Sequence, residues 1–384
     1  MMETEDNLPL KRRLILQYLG MNPDVTNEEL TALSKYKNPV YVSTVKRKLR
    51  KDGYISGPYY DVDLGRFTKN KLTRLIAVLM FRRDYAFIID ILKKIDCFVT
   101  LYPVFEQSFK MLIASFMCSD ESRLKNIFDW LLNNGVLVYC DLYVQEDSWY
   151  LRNPSFVNER NQPVSILPSL DGLLEECETP DLYPGTFCGL TLSRCDLALI
   201  EDLFLGIGEC NLRKISQYER QKQNLFFTYS ELKRSMKKLL DNEIISKYYN
   251  SYPFPRQKCS RFLLLMRSSE REKTQRLLFN FGKNARIQER LTYWTSLSGR
   301  EVYGVVQCAC HPSFLIELLQ NLDKYREIED KKFYFLRSFP ASYWVMQTIN
   351  TQYYDEETCT LYYPYTEYLE EIEKTVELEG VTPM

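Results

Sequence analysis

The residues with the clearest chemical potential are two groups of basic and hydroxyl side chains that share one spacing. The first group lies between positions 43 and 51, and the second between 230 and 237. Lys46-Arg47 stands as far from Lys233-Arg234 as Leu49 stands from Met236, so the two segments align without a gap. Lysine and arginine neutralise phosphate charge, and hydroxyl groups donate to phosphate oxygens. The pattern therefore indicates a duplicated surface for nucleic acid.

Each group is predicted to lie on the outer face of an amphipathic helix. Val42, Val45 and Leu49 recur at helical spacing in the first helix, and Leu232 and Met236 do so in the second. A basic face that serves only solubility is the competing interpretation. The candidate DNA-contacting residues are Ser43, Thr44, Lys46, Arg47, Arg50, Lys51, Ser230, Lys233, Arg234 and Lys237.

The first of these helices is predicted to complete a winged helix-turn-helix. A helix opens near Leu8, and Thr26 with Glu29 fits a capping box that starts a second helix. Gly53 ends the third helix, and β-type residues from 54 to 62 follow as a wing. A third helix in this arrangement enters the major groove of DNA.

The second copy repeats this order with a longer middle. Ser193 and Asp196 fit the cap of its first helix, and Ile244-Ile245 predicts the start of a weaker wing. Both copies then continue as βαββαβ, which is the ferredoxin-like order. The predicted fold class is α+β, with two winged helix-turn-helix domains and two ferredoxin-like βαββαβ domains in one duplicated chain.

The predicted domain boundaries follow the two copies and the segments beside them. A proline-rich linker separates the copies, with one short helix near 170–176, and an acidic tail with a helix over 365–378 ends the chain. The domains are winged helix-turn-helix 1 at 8–65, ferredoxin-like domain 1 at 66–152, the linker at 153–190, winged helix-turn-helix 2 at 191–256, ferredoxin-like domain 2 at 257–345 and the tail at 346–384.

The composition bounds the class of protein. The 384 residues carry a net charge of −1, so DNA binding must come from local basic patches. No apolar run is long enough for a transmembrane helix, and the first residues lack the apolar core of a signal peptide. The eleven cysteines are scattered, which favours reduced thiols. We therefore predict a cytoplasmic protein with no membrane partner.

One short motif invites a metal interpretation. Cys308-x-Cys310-His311 places three candidate ligands within four residues, but the spacing supplies no fourth. His311 precedes a proline and a helix start, where a capping or surface role is favoured. No Gly-rich phosphate loop, Gly-x-Ser-x-Gly or His-Glu-x-x-His occurs. We expect no metal, no cofactor and no catalysis.

The run Ser43-Thr-Val-Lys-Arg-Lys-Leu-Arg-Lys-Asp-Gly-Tyr-Ile-Ser56, followed by βαββαβ, resembles the Lrp/AsnC (feast/famine) family of transcription regulators. The resemblance covers about 8–144 and, more loosely, 192–338. It implies dimerisation through the βαββαβ (RAM-type) domains, here as an intramolecular pseudo-dimer, with a further homodimer left open. It also implies double-stranded DNA as partner and a small-molecule effector near the turn after the third sheet strand, at 118–120 and 308–311.

The main prediction is a DNA-binding transcriptional regulator with two reading heads, which are its two winged helix-turn-helix domains. The first of these carries most of the affinity for DNA. Two alternatives stay open. Sirohaem decarboxylases resemble Lrp/AsnC proteins in fold and occur as fused halves, but as a family they rely on histidine and arginine, and this chain has one histidine. A protein-interaction scaffold that has lost DNA binding is the other alternative, which the basic residues kept in both copies disfavour.

Overall fold

The structure is a computed structural model, and it describes residues 8–105, 109–149, 155–164, 170–178, 190–206, 211–223, 225–285, 288–297, 299, 301–310, 312–336 and 345–380. The first half contains α1 (Leu10–Met21), α2 (Asn27–Ser34), α3 (Pro39–Lys51), β1 (Ile55–Val62), α4 (Leu64–Phe67), β2 (Thr73–Phe81), α5 (Tyr85–Lys93), β3 (Phe98–Val104), β4 (Lys110–Cys118), α6 (Glu121–Asn133) and β5 (Tyr139–Trp149).

The second half repeats this order. It contains α7 (Arg194–Leu205), α8 (Leu212–Tyr218), α9 (Tyr229–Asp241), β6 (Ile245–Ser251), β7 (Ser260–Arg267), α10 (Arg271–Ala285), β8 (Gln288–Ser296), β9 (Val302–Cys310), α11 (Pro312–Leu322) and β10 (Asp330–Leu336). The C-terminal segment adds β11 (Val345–Met346), β12 (Tyr354–Asp355), β13 (Thr360–Leu361) and α12 (Tyr365–Leu378).

Local signals in the sequence explain where several helices begin. Thr26 caps α2 and Ser193 caps α7 by the reciprocal bonds of a capping box. Thr228 caps α9 in the same way. Asn38 caps α3, and its Oδ1 accepts from the N–H of Tyr41 at 2.8 Å. These caps satisfy backbone N–H groups that a helix start leaves without an internal partner.

The eight long sheet strands of the two βαββαβ units close into a barrel. Both copies have the same strand order, β5-β2-β4-β3 and β10-β7-β9-β8. β5 pairs with β8, and β10 pairs with β3 through Leu336 and Val104. Both contacts join one copy to the other, so the edge strands of each sheet are paired. The α+β class is confirmed, and the copies are joined at their strand edges as well as across the barrel interior.

The strands predicted as wings pair with each other. β1 and β6 form a two-stranded antiparallel sheet in which Val62 lies opposite Ile245. The backbone N–H and C=O groups of each strand therefore find partners in the other copy. α1 packs on β6 and α7 packs on β1, so each copy's first helix also rests on the other copy's strand. Strands are present where both wings were predicted, but the winged helix-turn-helix form of each unit is not confirmed.

Parts of the linker and of the tail pack on the two copies. Residues 171–174 form turns around Gly172, which has a φ of +70°, so the short helix predicted there is wrong. Leu170 and Leu173 pack into the core of the second copy with α10 and α11. The predicted helix at 365–378 is present as α12 and packs on α6.

Two sequence expectations concern the whole chain. In the described part of the chain, no helix combines the length and apolar character that crossing a bilayer requires. None of the nine cysteines that lie in the described residues takes part in a disulfide.

Candidate functional site

The interior of the barrel contains a small cavity of about 80 Å³. It lies where β2 and β7 begin, and both copies line it. Among its lining residues, Arg74 is the one that carries a charge. The lining residues are Arg74, Ile76, Thr100, Tyr102, Ile113, Ser115, Gln145, Leu263, Trp294, Val305, Gln307 and Leu336. Gln307 is exposed, so the rim of the cavity reaches solvent.

A second arginine lies immediately beside the cavity. Arg261 Nη1 donates a hydrogen bond to Tyr102 Oη at 3.2 Å, and Tyr102 lines the cavity. Burial alone would lower the pKa of Arg261, but the hydroxyls of Tyr102 and Tyr252 outweigh it and hold the pKa above its usual value. Arg261 stands as far from Arg74 as Lys233 stands from Lys46. The duplication therefore places one arginine from each copy at the same end of the barrel.

The neutral groups of the cavity are rich in hydrogen-bond donors. Trp294 is 4% exposed, and its Nε1 has no hydrogen-bond partner among the described residues. The hydroxyls of Thr100 and Ser115 lie 2.7 Å apart and hydrogen-bond each other. A fixed cation, an unpartnered indole N–H and hydroxyls beside apolar walls suit an anion of a few atoms. A carboxylate meets this description.

The opposite end of the barrel holds a polar network that is internally paired. Tyr143 Oη donates to Asp141 Oδ2 at 2.9 Å, and Lys332 Nζ donates to Tyr143 Oη at 2.9 Å. Burial and then the charge of Asp141 raise the pKa of Tyr143, so its hydroxyl keeps its proton. Tyr303 Oη donates to Asp330 Oδ2 at 2.7 Å. Because these groups satisfy one another, this end is a less suitable ligand site than the arginine end.

The predicted DNA-contacting residues of the first copy are only partly available. Arg47, Lys51 and Thr44 are exposed on α3, and Ser43 is half-buried. Lys46 is half-buried and its Nζ donates to Asn27 Oδ1 at 3.2 Å; burial is the main cause that lowers its pKa. The guanidinium of Arg50 donates to the carbonyl oxygen of Gly57 at 2.9 Å.

The second copy presents its predicted residues more fully. Ser230, Lys233, Arg234 and Lys237 are all exposed on α9. We expected the first copy to present the more basic surface. The predicted DNA-contacting side chains are instead more exposed in the second copy than in the first.

The two turns predicted to hold an effector are occupied by the protein itself or lie partly outside the described residues. Tyr365 Oη accepts the N–H groups of Ser119 and Asp120 at 2.8 and 3.2 Å, so α12 covers the first turn. Cys308 and Cys310 are buried in the core of the second copy, and His311 lies outside the described residues. Within the described ranges, no group of three metal-ligating side chains converges.

Comparison with known proteins gave matches in structure only. No protein-family model and no curated protein matches the sequence. A solved structure of siroheme decarboxylase NirDL is similar at a TM-score of 0.45 and 8% identity, covering 97% of this chain and 99% of the other. The same enzyme in complex with an iron-uroporphyrin III analogue matches at a TM-score of 0.47 and 8% identity, covering 96% and 98%.

This comparison corrects one expectation. We expected that the chain is not an enzyme, whereas both matched structures are of an enzyme.

Sequence reasoning missed the cavity residues. Arg74, Tyr102, Arg261 and Trp294 lie within strands and belong to none of the motifs described above. One signal could have found the arginines, because each interrupts the start of an apolar strand at corresponding places in the two copies. No local pattern marks Tyr102 or Trp294, since strands remote in sequence bring them to the cavity.

Proposed function

We propose that the arginine end of the barrel binds a carboxylate group of a small-molecule substrate. The observation that carries this proposal is that three polar groups meet at one cavity. Arg74 and the unpartnered indole N–H of Trp294 line the cavity, and Arg261 is hydrogen-bonded to Tyr102, which also lines it. Charged hydrogen bonds to a carboxylate are stronger than neutral ones, and a partly enclosed site strengthens them further.

The size of the cavity limits what enters it. A cavity of 80 Å³ accommodates about five to eight water-sized groups at roughly 10–15 Å³ each. Pockets that enclose a whole drug-sized ligand measure about 300–1,000 Å³. The cavity therefore suits an acetate- or propionate-like side chain, while the rest of a larger substrate stays outside it.

A polycarboxylate tetrapyrrole is the candidate substrate, and decarboxylation of its side chains is the candidate reaction. Such a molecule carries acetate and propionate groups of the size that the cavity accepts. We expect uroporphyrin to bind the full-length protein and to quench tryptophan fluorescence, because Trp294 lines the cavity. Incubation with siroheme, followed by mass spectrometry of the tetrapyrrole, tests for loss of carbon dioxide.

The control ligand is a water-soluble porphyrin that carries no carboxylates. Equal binding of both porphyrins would show that the macrocycle binds non-specifically and would contradict carboxylate recognition. Binding of uroporphyrin without decarboxylation of siroheme would retain the carboxylate site and reject the proposed reaction.

DNA binding is a second candidate function, and the exposed basic side chains of α3 and α9 favour it. Arg47, Lys233, Arg234 and Lys237 are exposed. In this proposal, α3 and α9 act as the third helices of two helix-turn-helix units, and β1 with β6 joins the units.

Replacing these four exposed cations with glutamine is expected to abolish binding to promoter DNA. Each lost phosphate contact should also reduce the slope of log affinity against log salt by about 0.9. A mobility-shift assay over a salt series measures both effects. The matched control replaces four exposed cations elsewhere, namely Arg82, Lys93, Arg123 and Lys374. If both quadruple variants lose the same affinity, binding depends on total charge, and the assignment to α3 and α9 is wrong.

A further inference from the structure

A pair of carboxyl groups is buried in the second three-helix unit, away from the barrel. Asp202 on α7 and Glu219, which starts the π-helical turn Glu219–Gln223 after α8, are each 3% exposed. Asp202 Oδ2 and Glu219 Oε2 find no hydrogen-bond partner elsewhere in the described residues. The two carboxyl groups hydrogen-bond each other, which requires that one of them holds a proton.

The charges on the same two helices do not neutralise this pair. Glu201 on α7 adds a third carboxyl group, whose Oε1 accepts the N–H of Thr351 at 2.9 Å. Tyr218 on α8 is uncharged at neutral pH, and burial raises its pKa. Among the cations around α8 whose side chains the structure describes, Arg213, Lys214 and Arg220 are exposed.

Among the described residues, the elements packed against α7 and α8 also bring no counter-ion to the pair. On α9, Lys238 Nζ lies 2.6 Å from Asp196 Oδ2, to which it is bound. β1 contains no cation, and its ionisable side chains are Tyr59, Tyr60 and Asp61. The turn Thr351–Tyr353 contains no cation either, and Tyr353 Oη donates to Asp96 at 2.8 Å.

We propose that Asp202 and Glu219 share one proton, and that loss of this proton separates the π-helical turn after α8 from α7 and loosens the second three-helix unit while the barrel stays folded. Two buried carboxylates without a counter-ion repel each other and carry a large desolvation cost. Because α8 also packs on α9, the proton would control how firmly α9 is held. This inference does not depend on which function the barrel performs.

The direction of the pH dependence follows from linkage. Burial and then the charge of Glu219 raise the pKa of Asp202 from 3.8 to about 8, and burial is also the main cause that raises the pKa of Glu219. A carboxyl group whose folded pKa is raised stabilises the folded state fully below its unfolded pKa. That stability is lost as pH rises from about 4 to about 8 and stays lost above it.

The experiment is hydrogen exchange with mass spectrometry on the full-length protein, corrected for the intrinsic pH dependence of exchange. The local opening of α8 is expected to rise by up to about tenfold per pH unit between roughly pH 5.5 and pH 7.5, whereas α6 in the first copy should not follow. Asp202→Asn should flatten this dependence for α8. Glu201→Gln is the matched control. It should keep the pH dependence of α8 opening, but the pH at which that dependence ends should be lower, because the charge of Glu201 helps to raise the pKa of Asp202.

Three outcomes would overturn the proposal. Equal pH slopes for α8 and α6 in the wild-type protein would show that the pair has no local effect. Retention of the slope in Asp202→Asn would assign it to other groups. If Mg²⁺ or Ca²⁺ added after chelation protects α8 at about pH 7.5, the pair holds a cation instead of a proton. Because the first and third measurements use the wild-type protein, they remain decisive even if a variant fails to fold.

Discussion

Replacing Arg74 with methionine is expected to weaken uroporphyrin binding by roughly ten- to a hundredfold, because a hydrogen bond to a charged group contributes about 1.5–3 kcal/mol. Arg74 is the charged residue in the lining of the cavity, and methionine keeps much of its length. Fluorescence or absorbance titration measures the effect. Arg74→Lys should retain part of the affinity, since a lysine keeps the charge but loses the paired N–H groups that bind a carboxylate.

Arg82→Met is the matched control for this prediction. Arg82 follows the far end of the same strand, is exposed, and does not line the cavity. Its replacement should leave the affinity for uroporphyrin unchanged. If Arg74→Met binds uroporphyrin as tightly as Arg82→Met does, the carboxylate is not bound in the barrel, and the proposed site is wrong.

Replacing Asp196 with alanine is expected to destabilise the second three-helix unit by about 3 kcal/mol. Asp196 is 2% exposed, and its side chain contributes to the cap of α7 and binds Ser235 and Lys238 on α9. Loss of a capping interaction costs about 1 kcal/mol, and loss of a hydrogen bond to a charged group about 1.5–3 kcal/mol. Denaturant unfolding monitored by hydrogen exchange in α7 and α9 measures this change.

The matched control is Glu231→Ala, which removes a capping box at the start of α9. Glu231 is exposed and its side chain accepts only from Thr228, so a loss of about 1 kcal/mol or less is expected. Equal losses in the two variants would mean that the buried contacts of Asp196 add nothing to its capping role.

The two buried aspartates of α7 respond to pH in opposite directions. Burial alone would raise the pKa of Asp196, but Lys238, Ser235 and Ser193 outweigh burial and lower it. The stability that Asp196 contributes is therefore present above its unfolded pKa and is lost in acid. The stability that depends on Asp202 is lost as pH rises. The difference lies in their partners, because Asp196 faces a cation and Asp202 faces a carboxyl group.

Local structure and the duplication can be read directly from the order of the residues. Caps such as Thr26, Ser193 and Thr228 act within three residues, and buried stripes such as Val42, Val45 and Leu49 repeat within one helix. Signals of this range can be read without knowing the fold. The basic faces of α3 and α9 were visible for the same reason, although the loss of Lys46 and Arg50 to internal contacts was not.

Only the tertiary structure decided how remote segments meet. β1 pairs with β6, and β5 pairs with β8, although long stretches of chain separate them. These pairings bring Arg74 and Arg261 to one end of a closed barrel, and the folding of the second three-helix unit buries Asp202 on α7 against Glu219 in the turn after α8. A strand's preference for one of several possible partners depends on packing over the whole molecule, so no short pattern in the sequence records it.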